Sequence, residues 1–134
     1  MTPAALAPEA VLCACYRDQA ERYREAIAIA ESLPALLRAG EEHVERLDQV
    51  MRLLAEVADA EEEVRTVKEQ WVRGGGRLGD ELRAVLIEVT HLVERLARSL
   101  AAAEQEAAAR QAELAPQIDG VIRSRAMRRA YRFA

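Results

Sequence analysis

The chain has 134 residues and a net charge of −4; 51% of it is hydrophobic but only 4% aromatic. That is one domain's worth of chain, and its Ala, Leu and Val surface suits close helix packing but is too thin for a broad globular core. Of its 19 basic residues only Lys68 is not arginine. Five arginines (Arg123, Arg125, Arg128, Arg129, Arg132) fall in residues 121–134 with no acid among them. An acidic body with a basic tail argues against nucleic-acid binding by the body and leaves the tail open as a contact site.

In chain order, Pro8 opens the first helix, expected over residues 8–39, with Glu9 favouring the positive end of its dipole. Leu12, Tyr16, Ala20, Tyr23, Ile27, Ala30 and Leu37 recur at helical steps and share a face. Pro34 predicts a kink or restart, with Ser32 as the new cap, and Gly40 is the natural stop. A second helix is expected over residues 41–72, roughly 45–50 Å long. Its stripe is Leu47, Val50, Met51, Leu54, Val57, Val64, Val67 and Trp71, and Glu61 and Lys68 near the seam weaken its later part.

Gly74, Gly75 and Gly76 then interrupt the pattern, because consecutive glycines lose most backbone freedom on ordering. Residues 73–79 read as a loop that folds the chain back on itself, with Asp80 capping a third helix over residues 80–115. Its stripe thins from large residues to alanine after Leu100. Pro116 is expected to end or kink it, leaving residues 116–134 as a short helix or tail. The fold class is all-α: an elongated antiparallel three-helix bundle in a single domain. Six acids stand four residues before an arginine, as Asp18–Arg22, Glu42–Arg46, Asp48–Arg52, Glu61–Arg65, Glu94–Arg98 and Glu106–Arg110. Each would add roughly 0.2–0.5 kcal/mol to a solvated face.

No catalytic constellation emerges, and the chain is not read as an enzyme. Glu88 and His91 have the spacing of a di-iron ligand pair, but that site needs a second copy of the motif, and Gly40 stands where the partner of His43 would be. The glycine run precedes no Lys-Ser/Thr and is a turn, not a phosphate cradle. Cys13 and Cys15 point about 200° apart on a helix and can neither bridge nor share a metal. No cofactor is expected. Trp71 reads as a cap on the helix interface at the loop, with a partner anchor as the alternative. The sequence starts without a leader pattern and holds no apolar run of spanning length, so a cytoplasmic protein with no membrane insertion is expected.

Several features together resemble flagellar export chaperones of the FlgN type, the helical proteins that escort hook–filament junction subunits. They are Tyr16 and Tyr23 on the first helix, the Leu-Arg-Ala-Gly-Glu-Glu turn at residues 37–42, and a second helix ending near Trp71. A long third helix and the Arg-x-x-Arg-Arg-Ala-Tyr-Arg run at residues 125–132 complete the likeness. The resemblance implies a cytosolic, non-enzymatic chaperone whose C-terminal region holds an amphipathic helix of the export substrate. The binding residues would then be Leu114, Ile118, Val121, Ile122, Met127 and Tyr131. Two other readings remain: a structural coiled-coil adaptor that self-associates through the exposed sides of its second and third helices, and nucleic-acid binding by the arginine-rich tail.

Overall fold

The computed structural model describes residues 7–132, and for residues 115–132 the helix backbone alone. Four helices follow in order: α1 (Pro8–Ala39), α2 (Val44–Glu63), α3 (Arg65–Arg73) and α4 (Asp80–Arg132). No strand occurs among the described residues. The all-α expectation holds, and successive rods reverse direction at Gly40 and at the glycine loop.

The central element is α1. Its partners on α2 run backwards along the chain: Arg22 meets Glu56, while Tyr16 and Gln19 meet Glu61. Its partners on α4 run forwards: Arg17 pairs with Glu81, Arg24 with Glu88, Glu31 with Arg95 and Arg38 with Glu106. The first helix and the last therefore lie parallel, with α2 and α3 antiparallel to both. The first three rungs repeat at heptad intervals on both helices, the signature of a coiled-coil seam. Their sign reverses at Glu31–Arg95. A slip by one heptad would set Arg24 against Arg95 or Glu31 against Glu88, so the order of charges opposes the wrong registers.

Beneath the ladder, Leu12, Ala26, Leu33, Leu82, Leu96 and Ala103 are buried. Ala26 and Ala30 are fully enclosed, and their small side chains let the helices approach closely. The core forms two clusters. One, at the loop end, gathers Leu12, Cys13, Tyr16, Leu82 and Val85 under Val64, Val67 and Trp71. The other joins Ala26, Ile27 and Ala30 to Val50 and Leu96 in mid-bundle. By contrast, no Cα of α2 or α3 lies within 8 Å of one in α4. Both flanks rest on α1 and stand apart from each other.

Two glycines close the turns in the same way. Gly40, at φ +68°, lets the Gly40 and Glu41 amides donate back to the Leu37 and Leu36 carbonyls. Gly75, at φ +105°, does the same for the Gly75 and Gly76 amides onto Val72 and Trp71. Both are the paired hydrogen bonds of a Schellman ending, which needs a left-handed residue after the last turn. The start of α4 departs from expectation. Asp80 is its first residue, and the Gly79 amide instead donates to the Glu9 carboxylate of α1 at 2.6 Å.

Three expected boundaries are corrected. α1 runs unbroken through Pro34, and the Ser32 hydroxyl donates to the Ile29 carbonyl of its own turn instead of capping a restart. The cost of the missing donor is offset by packing, since Ala30 and Leu33 in the preceding turn are buried. The second rod starts at Val44 and breaks at Val64 into α2 and α3. Of its first three stripe residues, Val50 is fully buried, whereas Leu47 and Met51 lie on the surface. Pro116 does not end α4, which stays helical to Arg132; the last segment is therefore no separate helix. At 1.5 Å per residue the 53-residue α4 is ~80 Å long against ~48 Å for the 32-residue α1. Since the two start level, at the Glu9–Gly79 contact, α4 outruns α1 by about 30 Å.

Of the glycine run, Gly75 and Gly76 have positive φ, whereas Gly74 sits at φ −78°, where a Cβ would meet only ordinary contacts, with the Gln70 carbonyl at 3.5 Å and the Trp71 carbonyl at 3.6 Å. Replacing Gly75 or Gly76 with alanine should lower the unfolding free energy by about 1–2 kcal/mol in urea titrations, while Gly74→Ala leaves it unchanged or raises it.

Candidate partner-binding site

Because α2 and α4 do not close on each other, α1 is left as the floor of an open trough at the end of the bundle where α4 continues alone. Leu33 and Leu37 of α1 form its base. His43 and Leu47 form one wall, and Leu100, Ala103, Glu104 and Ala107 form the other. This hollow holds about 340 Å³ and shares Leu37, His43 and Ala107 with a second of about 320 Å³, which adds Gly40, Glu41, Arg110, Gln111 and Leu114. The α4 wall repeats at coiled-coil spacing, Leu100, Ala103, Ala107 and Leu114; Ala103 is buried and Leu100 packs on the mid-bundle cluster, so the row loses its facing helix only towards Leu114. On the α2 side Val44 and Met51 extend the apolar rim, 55% and 58% exposed.

Leu114 stands at the outer end of this trough, 42% exposed. Ile118, Val121, Ile122, Met127 and Tyr131 lie on the last part of α4, and their side chains are outside the described residues. Sequence reasoning placed the site on Leu114 and that last part, so of its residues Leu114 falls on the trough. It missed the trough residues Leu33, Leu37, Leu47, Ala103 and Ala107, because periodicity marks a residue as apolar without telling which seam stays open.

The other marked residues have structural roles. Trp71 packs on the loop-end cluster and its indole N–H donates to the Arg77 carbonyl at 3.4 Å, holding the glycine loop. Glu88 pairs with Arg24 and His91 is exposed, and no group of three or more potential metal ligands occurs among the described residues. Cys13 is buried towards α4, whereas Cys15 turns towards the Ala60 carbonyl of α2. Burial pushes both thiols above their ordinary range, so they stay protonated and weakly nucleophilic at neutral pH.

Of the six anticipated acid–arginine pairs, Asp18–Arg22 closes. Glu61 instead turns inward, where it accepts from the Gln19 amide at 3.0 Å and the Tyr16 hydroxyl at 3.3 Å and pairs with Lys68 at 3.6 Å. Glu106 crosses to Arg38, and Arg110 donates to the Arg38 carbonyl at 3.2 Å. Gln19 is the one buried polar side chain among the described residues, and the Glu61 carboxylate satisfies it.

No family model, curated protein or solved structure matches the chain. No helix among the described residues is long and apolar enough to cross a membrane.

The Glu61 cluster fixes a pH dependence. Burial, then Glu61, lifts the Tyr16 hydroxyl above its ordinary 10.0; Tyr16, then Glu61, lifts the Lys68 ammonium above 10.5. A pKa raised by folding gives stability that is intact below the unfolded value and is lost as pH rises. Thermal unfolding should therefore be level between about pH 7 and 9 and fall above about pH 10, with Tyr16→Phe blunting the fall. Glu61→Ala, which leaves the buried Gln19 amide only the Cys15 sulfur at 3.5 Å, should cost about 1–3 kcal/mol at pH 7 in urea titrations.

Proposed function

We propose that the chain is a non-enzymatic chaperone of the flagellar export type, working in the cytoplasm, that holds a terminal amphipathic helix of a hook–filament junction subunit. The observation that carries this reading is the trough: three helices present an apolar channel shaped for a fourth, and one wall runs on as the unaccompanied end of α4. Helix-in-groove capture needs such a channel, with hydrophobic side chains at its base and polar groups at its rim. Leu33, Leu37, Leu47, Leu100 and Leu114 supply the first, and Glu41, Glu104, Arg110 and Gln111 supply the second. The client helix would lie along Leu100–Leu114 and continue against Ile118, Val121, Ile122, Met127 and Tyr131. The chain features that resemble the FlgN-type family support the same reading, since the turn at residues 37–42 forms the end of the trough.

The test is capture of flagellar junction proteins from cells of the source organism, with a helical client peptide for titration. Deleting residues 116–134 should abolish recovery, and Leu47→Asp with Ala107→Asp should weaken peptide binding by roughly tenfold or more while the circular dichroism is unchanged. Full binding by the truncated chain would mean that the site is elsewhere. Recovery of no junction protein would remove the flagellar reading.

A further inference from the structure

Helix α4 cannot cover its own trough. It leaves the bundle as one helix through Arg132, so residues 115–132 travel away from the channel that begins beside Leu100. We propose that a second copy of the chain covers it: residues 115–132 of each copy lie antiparallel in the trough of the other, about a two-fold axis near residues 114–116.

Length, charge and symmetry agree with this occupant. Along α4 the trough runs from Leu100 to Leu114, ~21 Å, and residues 115–132 form ~26 Å of helix. Glu41 and Glu104 line the trough, and Glu42 and Glu45 are exposed at the start of the α2 wall. The one arginine of the lining, Arg110, is engaged with the Arg38 carbonyl. The segment offered to this acidic rim holds Arg123, Arg125, Arg128, Arg129 and Arg132, with Asp119 as its sole acid. Arginine suits the place doubly, because its aliphatic stem covers apolar surface while its head reaches rim carboxylates. A two-fold axis near residue 115 makes both contacts identical, as an isologous interface requires, and brings Leu114 beside Ile118 of the second copy. Each trough thereby gains its missing fourth helix. A client helix would compete with this segment for the same channel, but the dimer itself needs no client and stands or falls apart from the chaperone reading.

Analytical ultracentrifugation of the purified full chain tests it. The chain should sediment as a dimer that dissociates on dilution across about 1–200 µM. Its dissociation constant should rise by roughly tenfold or more between about 0.05 and 0.5 M salt. A tail variant (Arg123→Glu, Arg125→Glu, Arg128→Glu) and a trough variant (Glu41→Arg, Glu42→Arg, Glu104→Arg) should each be monomeric alone and form a heterodimer when mixed. In the mixture every tail again meets a trough of opposite charge. Glu41, Glu42 and Glu104 are exposed, and circular dichroism checks that each variant is folded; should one unfold, the salt series on the unaltered chain decides. A chain that stays monomeric throughout, a dimer indifferent to salt, or variants that remain monomeric on mixing would overturn the proposal.

Discussion

Everything in this molecule rests on the parallel seam between α1 and α4. Two alanines with no exposed surface, Ala26 and Ala30, lie in the cluster that joins α1 to Leu96 of α4 and Val50 of α2, and Leu12, Leu33, Leu82 and Leu96 are buried along the seam. Dispersion grows where backbones approach closely, which small buried residues such as Ala26 and Ala30 permit. The charged rungs above it add little energy singly, because they are exposed, but their order of signs selects one alignment.

The open channel follows from that seam. With α1 drawn tightly onto α4, α2 and α3 can rest only on the other side of α1, and the bundle is left with a floor and two walls. At the loop end the gap is filled from above by Val64, Val67 and Trp71. At the other end α2 contributes Leu47, Val44 and Met51, which reach too little of α4 to seal it. The asymmetry between a stapled end and an open end places any partner contact at residues 33–47 and 100–114.

Much of the fold was legible because its signals are local. Gly40 and Gly75 are needed at positive φ whatever the tertiary context, and the apolar periodicity of α1 and α4 survives in the burial pattern. The errors share one cause, a distant contact overriding a local preference. Pro34 does not stop α1, because Ala30 and Leu33 hold the turn against its neighbours. The break at Val64 was invisible, since it lies beside Glu61, a carboxylate drawn inward by Gln19 and Tyr16 from another helix. Glu9 stands in the first turn of its own helix as expected, and its carboxylate also takes the amide of Gly79, 70 residues later, just before α4 begins. The trough was beyond reach for the same reason, as no periodicity tells which of three seams remains unsealed.

Because the innermost rod is made first and its most extensive partner last, α1 must wait for most of the chain to be synthesised. At ribosomal speeds of about 5–20 residues per second, the interval between the emergence of Ala26 and that of Leu96 is on the order of several seconds. Throughout that time α2 can shelter only one flank, and the alanine-rich face stays bare. Helical bundles usually assemble rapidly from near neighbours in the chain. This one is bound to the slower schedule of a protein stitched together from its two ends.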